Sequence, residues 1–448
     1  MKVALIIPYH NRIDYLKKCL ASIEVSDIPR DLFLLVINDA STNFETLDFS
    51  YYPNIDKINR EEFIFKENKG IKGVLKYGFE RCFSMGYDIV ISLDSDTIVV
   101  PNFFKKIIAL RSMFIDNIVC GINSTNYDNG KLRNPIVSEY DNFIMKKFTN
   151  GQCLCLNESS YNRFVKGALS MNGNWDYNAS LATQKENISV LVPKPSLVQH
   201  IGVVSSMSHI KYGEPDVALD FPKIKLTNVT LFGVDAHDPN GILRASEISQ
   251  RHIEFGAVKI ITERIFDGRD GYSQFCIKEM WKYIETDYVL LIHSDGFIQN
   301  AWAWDDSWLQ YDLIGASWGY KDNMNVGNGG FTLRSKKLLN IIKDYDVPQG
   351  TIEDDFICRK IRRELEIKHG IKFAPEEVAN KFSIEAYGAS AFTDMQGFKA
   401  NTYSGQMGFH GYQVQGLPIP PLPKVPTPKV RKPNQITRKS IAKRTFRR

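Results

Sequence analysis

The sequence predicts an α/β protein of two successive units, each with a mostly parallel central sheet, followed by a basic proline-rich tail. Three observations predict it. Short apolar runs alternate with segments of helical spacing through the first hundred residues. The same alternation restarts near residue 228. Seven prolines and ten Lys or Arg then crowd into 417–448, which has no Asp or Glu.

Taken in order, 3–7 is an apolar run ended by Pro8 and reads as a first strand rather than a secretory leader. Residues 14–24 place Tyr15, Leu16, Cys19, Leu20 and Ile23 at helical spacing. The runs 32–37, 63–66 and 88–93 read as strands, with a helix over 73–85 between the last two. This β-α-β-α-β order predicts a parallel sheet, with ligands beyond the carboxyl ends of its strands. The second cycle has strands at 229–234, 258–262 and 288–293 and helices over 243–256 and 272–285. The Pro- and charge-rich stretch 211–225 marks the boundary, giving units 1–222 and 223–416 and a tail 417–448 expected to be extended or disordered.

Composition excludes several classes. Of the 56 Lys and Arg, 46 precede residue 417 and face 51 acidic groups, so the body carries −5 and the tail +10. The protein is therefore not a basic nucleic-acid-binding domain throughout. No apolar run approaches the roughly 18–20 residues of a membrane span. The seven cysteines are scattered without a CxxC pair, which predicts neither a zinc site nor a disulfide framework and fits a reducing, cytoplasmic setting.

The chemistry concentrates at strand ends. The segment LDSDT delivers Asp94 and Asp96 beyond an apolar strand, and hard cations take such oxygens while sharing their remaining positions with phosphates. Together with ALIIPYHNR, VINDASTN, NKGIKGVLKYGFE and ISLDSDTIVVPNFF, in that order, the first half resembles the family 2 glycosyltransferases of the GT-A fold. The resemblance implies a nucleotide-sugar donor contacted by Pro8, Asp39, Lys72 and Asp94, and Mn²⁺ or Mg²⁺ held by Asp96. The family often has two acids where this chain has Asn38 and Asp39. It further implies a carboxylate that deprotonates the acceptor hydroxyl during inverting transfer. Asp176 in GNWDYNAS is the candidate, with helix capping as the alternative. His200 is either a structural histidine or a further metal ligand.

The second cycle offers a parallel, weaker set resembling GT-A domains in general. HSDG puts His293 and Asp295 at a strand end, so Asp295 is a candidate metal ligand, and His410 mirrors His200. Asp235 and Arg334 are expected donor contacts, the latter behind the glycines of NVGNGGFTLRS. In TIEDDF, Asp354 is the expected base, unless the acids only favour a helix dipole. The tryptophans of AWAWDDSW could stack on sugar rings or fill a core.

The expected activity is a bifunctional, metal-dependent, inverting glycosyltransferase acting on a surface glycan or glycolipid. Two alternatives stand beside it: transfer to modified DNA bases, and a catalytic first half with a second half that binds acceptor or supports the fold. The basic segment 424–448 could contact DNA or an anionic membrane, making the protein peripheral to either, or be a solvated extension.

Overall fold

The computed structural model describes residues 1–42, 45–123, 127–128, 131–132, 136–202, 218, 220–318, 320, 322–385 and 403–411. Most of the expected boundary segment and all of the tail lie outside the described residues. Met1–Pro418 forms one unit and Ile419–Arg448 another.

The first half opens with β1 (Val3–Tyr9), buried along its whole length as a strand covered on both faces must be. Helix α1 (Ile13–Glu24) buries Leu16, Cys19, Leu20 and Ile23, the stripe its spacing predicted. There follow β2 (Phe33–Asn38), β3 (Asn59–Ile64), α2 (Gly70–Ser84), β4 (Ile89–Leu93), β5 (Thr97–Val99), α3 (Phe103–Met113) and β6 (Val119–Cys120). A short hairpin, β7 (Tyr127–Asp128) and β8 (Lys131–Leu132), precedes β9 (Ile136–Glu139), β10 (Phe143–Lys146) and β11 (Cys153–Leu156). Then come α4 (Glu158–Ser160), α5 (Trp175–Lys185), β12 (Val190–Pro193) and β13 (Val198–His200).

The second half runs β14 (Ile224–Val234), α6 (Pro239–Ser249), β15 (Ile253–Ile261), α7 (Gly268–Lys278), β16 (Tyr288–Ile292), β17 (Leu313–Ile314) and β18 (Thr332–Ser335). It closes with α8 (Lys336–Ile342), α9 (Glu353–Asp355), α10 (Arg362–His369), α11 (Glu376–Phe382), β19 (Ser383–Glu385) and β20 (Gly408–His410).

The first sheet has the order β3-β2-β1-β4-β11-β6-β12-β10-β9 and the second β15-β14-β16-β18-β17. Both are more mixed than expected. In the first, β3, β2, β1 and β4 are parallel, but β11 enters antiparallel between β4 and β6. In the second, β18 enters antiparallel between β16 and β17. Two helix boundaries also moved. Asp238 caps α6 by accepting from the Gly241 N–H with Pro239 in the first turn, so the helix starts and ends earlier than 243–256. The residues released enter β15, an edge strand whose more and less exposed positions alternate over 253–258, as in a strand. The expected helix 272–285 begins at Gly268 and gives way to a tight turn over Met280–Tyr283.

The five-stranded sheet repeats the middle of the nine-stranded one in order, direction and register. Ser92, two residues before Asp94, pairs with Ile6 on one side and Leu154 on the other. Leu291, two residues before His293, pairs with Phe232 and Thr332. Ile6 pairs onward with Leu35, as Phe232 does with Lys259, and Cys155 with Val119, as Leu333 does with Ile314. The register makes Asn157 and Ser335 equivalent. Each caps the helix that follows, Asn157 accepting from the Ser160 N–H and Ser335 from the Leu338 N–H.

One continuous core surrounds the first sheet. The second sheet separates two, with Leu231, Leu290 and Leu333 in one and Phe232, Val289 and Leu291 in the other, the alternation a strand imposes. Among the described residues no helix is long and apolar enough to cross a membrane.

Candidate active sites

The first site is built at the carboxyl ends of β1, β2 and β4. The turn after β4 is tied down at both ends. The Asp94 N–H donates to the Gln152 carbonyl at 2.8 Å, and the Thr97 hydroxyl donates to the Asp94 carbonyl at 2.7 Å. Strand β13 runs antiparallel to β5 and sets His200 opposite Thr97. Its Nε2 lies 3.0 Å from Asp96 Oδ2, and Arg12 Nη1 donates to the same oxygen at 2.5 Å. Burial pushes the Asp96 carboxyl up, but His200 and Arg12 outweigh it and hold the group at about 2. Burial and the Asp96 charge push Asp94 up to about 7, and Asp176 adds to that shift. Gly202 is required here: a Cβ would stand 2.3 Å from Asp96 Oδ2 and 2.9 Å from His200 Nε2.

The other expected residues fall around this group. Pro8 is buried in β1 opposite Ile37. Asp39 is buried, and its Oδ1 accepts from the Lys69 N–H at 2.6 Å, holding the turn that opens α2. Asn38, in place of a second acid, is buried and donates to the Tyr9 hydroxyl. Lys72 Nζ donates to the Met171 carbonyl at 2.8 Å, so it ties α2 to the loop before α5. Asp176 lies in the first turn of α5, which docks through Trp175. The indole packs on Gly151, where a Cβ would meet it at 2.9 Å. No side-chain hydrogen bond caps α5.

The second site follows the same plan with different residues. His293 stands where Asp94 stands and Asp295 where Asp96 stands, by the register of β16. His410 ends β20, and Gly408 bridges Ile298 antiparallel, as β13 lies along β5. His293, Asp295 and His410 bring one donor atom each to within 4.8 Å of one another. Burial and the neighbouring His410 push the His293 imidazole down to about 4, so it is neutral. Its Nε2 lies 2.6 Å from the Tyr272 hydroxyl. Burial pulls His410 down, but the Glu385 carboxylate, 3.1 Å from Nδ1, outweighs it and raises the group to about 9. Gly330 leaves room for that ring, since a Cβ would come within 2.1–2.3 Å of it.

Gly329 is the counterpart of Gly151, and a Cβ there would meet Glu353 at 2.8 Å as one on Gly151 would meet Trp175. Asp354 therefore occupies the place of Asp176. Its Oδ2 accepts from the Gly329 N–H at 3.0 Å. Burial and the adjacent Glu353 raise its carboxyl to about 7. Asp235 accepts from the Ser294 hydroxyl at 3.0 Å and from the His237 and Asp238 N–H groups, so it braces the HSD turn. Arg334 is not brought to the strand ends. Its side chain is 1% exposed and pairs with Glu353 at 2.5 Å, which makes it a core ion pair rather than a group presented to a ligand.

Sequence reasoning missed Arg12, although it lies in the quoted ALIIPYHNR, because its partner is 84 residues away. It also missed His293 as a donor atom, Glu385 behind His410, and the glycine pair Gly151 and Gly329. The shared Asn-Gly dipeptide at 150–151 and 328–329 was the available signal for the last.

Acids and an imidazole gathered at the carboxyl ends of parallel strands mark the usual ligand position of an α/β sheet. Residues 4–164 match the family described as Glycosyl transferase family 2. Residues 256–410 match a family described as Protein of unknown function (DUF5672), which does not confirm a second such domain. No curated protein matches the chain. Similar solved structures include GalNAc-T7 with UDP, GalNAc and Mn²⁺, at 14% identity and TM-score 0.38, covering 47% of this chain and 44% of the other. Another is S. aureus TarS 1–349 with UDP-GlcNAc, at 14% identity and TM-score 0.34, covering 47% and 62%. A third is the mannosyltransferase PcManGT from Pyrobaculum calidifontis with GDP-Man and Mn²⁺, at 13% identity and TM-score 0.32, covering 45% and 57%. The chain thus spans about half the length of these proteins, and likenesses this remote carry no argument about donor, metal or acceptor.

Proposed function

We propose that the protein is a tandem, inverting glycosyltransferase in which both halves are GT-A-like and each transfers a sugar from a nucleoside-diphosphate donor to an acceptor hydroxyl. The observation that carries this reading is the repeat. The same strand order and register set Asp96 beside His200 with Asp176 in the first turn of α5, and Asp295 beside His410 with Asp354 in α9.

The donor sets fit a divalent cation. The first pairs an ionised carboxylate with an imidazole, and the second joins a carboxylate to the neutral His293 and to His410, which Glu385 keeps protonated and which would give up that proton to a cation. Asp96 and His200, and separately His293, Asp295 and His410, would hold Mn²⁺ or Mg²⁺. When bound, such a cation would offset charge developing on the departing diphosphate.

The remaining chemistry belongs to the chain. In each centre the acceptor oxygen forms a bond to the anomeric carbon as the bond from that carbon to the phosphate oxygen breaks. The hydroxyl proton passes to Asp176 or Asp354, and the nucleoside diphosphate leaves. A single displacement with one base inverts the anomeric configuration. A carboxyl raised to about 7, as in Asp354, suits proton acceptance near neutrality. Asp39 and Asp94 would contact base and ribose in the first centre. We assign the acceptor to surface glycans or glycolipids. The DNA and membrane alternatives rest on a tail outside the described residues.

The test is release of nucleoside diphosphate, and transfer, from a panel of nucleotide sugars with Mn²⁺. Asp96→Ala and Asp295→Ala should each remove part of the activity and together remove all of it. Full activity in the double variant would sink the proposal. A second reading, with only the first half catalytic, is favoured by the family 2 match ending at residue 164 and by His293 in place of a first acid. It predicts that Asp354→Asn leaves every product unchanged.

A further inference from the structure

We propose that a groove between α1 of the first half and the 300–308 and 403–407 segments of the second is a saccharide-binding site that holds acceptor sugar units beside the first centre. The inference rests on the sugar-transfer reading and names its acceptor subsite. The groove encloses about 450 Å³, inside the roughly 300–1,000 Å³ usual for ligand sites. Its walls carry four aromatic residues, Tyr15, Trp302, Trp304 and the largely buried Trp308, with Asp305 and Gln406 among them.

The aromatic surfaces are held in place. Trp304 donates through Nε1 to Asp306 at 2.8 Å and meets the buried Trp308 edge-on at 5.5 Å. Trp302 packs edge-on against Phe221 at 5.4 Å and tilted against His252 at 5.7 Å. Rigid rings flanked by short polar groups suit a pyranose. Its C–H face is apolar and weakly positive, matching the negative face of an indole, while its rim of hydroxyls needs both donors and acceptors. The charges lining the groove are of both signs, Asp14 and Asp305 against Lys17, Lys18 and Lys381. That favours a neutral polyhydroxylated ligand over a polyanion.

Residues of the groove wall touch the first centre. The Arg12 guanidinium lies over the Tyr15 ring at 4.4 Å and hydrogen-bonds Asp96. Ile201, also in the wall, follows His200 and donates its N–H to the Asp96 carbonyl at 2.8 Å. On the far wall, the Asn300 N–H donates to the Met407 carbonyl at 2.9 Å, in the strand approach that ends at His410. A glycan in the groove would therefore lie against elements that carry both sites.

The test is binding of tetrasaccharides of N-acetylglucosamine, mannose and galactose to the full chain, read by calorimetry and by tryptophan fluorescence. Release of nucleoside diphosphate from nucleotide sugars is measured separately. At least one tetrasaccharide should bind. Trp304→Ala should weaken it about tenfold, the loss expected for one ring contact, and Trp304→Tyr should restore most of it. Gln406→Ala, on the opposite wall, should also weaken it and stands in if Trp304→Ala does not fold. No binding by the native chain, or equal binding by the variants, overturns the groove. Diphosphate release without groove-dependent binding overturns the groove alone. Groove-dependent binding without diphosphate release supports the groove and counts against the sugar-transfer reading.

Discussion

Removing the Glu353 carboxylate should destabilise the second half severely, and the structure says by how much. Glu353 and Arg334 are 5% and 1% exposed and meet at 2.5 Å. The guanidinium also donates through Nε to Thr332, and among the described residues no other acidic side chain hydrogen-bonds it. Glu353→Ala leaves that cation buried and unpaired, which costs about 3–5 kcal/mol, on the order of a few hundred- to a few thousandfold in the unfolding equilibrium. The double variant Arg334→Met/Glu353→Leu removes both charges at similar volume and should be close to neutral. The assay is urea unfolding followed by tryptophan fluorescence, which reports mainly on this half because five of the six tryptophans lie at 281 or beyond. Glu364→Ala, which breaks the solvent-exposed pair with Lys368, is the control and should leave the midpoint within error. An unmoved midpoint in Glu353→Ala, or a double variant as weak as the single one, would refute the reasoning. Donor release by the double variant then separates the two roles given to Arg334. A core ion pair predicts unchanged donor affinity, and a nucleotide contact predicts a raised KM.

Three further outcomes are expected. Asp96→Asn should cut diphosphate release at the first centre about a hundredfold or more, measured with Mn²⁺ and each donor in turn. Asp354 must be ionised to accept a proton and its carboxyl sits at about 7, so kcat/KM of the second centre should be low below that pH, rise through it and level off above. Asp354→Asn should abolish that rise. Gly330→Ala should displace the His410 ring, since the new Cβ would lie 2.1–2.3 Å from it, and should abolish Mn²⁺ binding at the second centre by calorimetry. Gly167→Ala, with open space around its Cβ position, should not.

Strand and helix existence was legible wherever one residue's own burial decided it. The runs 3–7 and 32–37 are continuously apolar, and 89–93 nearly so, because both their faces are covered, and each is strand in the structure. Edge strands were harder. Asn59–Ile64 carries Arg60, Glu61 and Glu62, and only its last apolar residues were visible as a strand. The antiparallel strand Cys153–Leu156 showed no signal of direction, because a four-residue buried run reads the same either way.

By itself the sequence determined the composition of each site: which acids and histidines follow apolar strands, in what order, and that a family 2 pattern occupies the first half. Those are local properties, set by one strand and the turn after it. Only the tertiary structure decided the pairings. Arg12 and His200 reach Asp96 across 84 and 104 residues, and their charges rather than the carboxyl's own nature keep it ionised. Arg334, equally plausible on paper, is drawn into the core by a glutamate nineteen residues on. The second half's kinship to the first is likewise a matter of register. Backbone pairing is blind to side-chain identity, so the same sheet recurs where the letters do not.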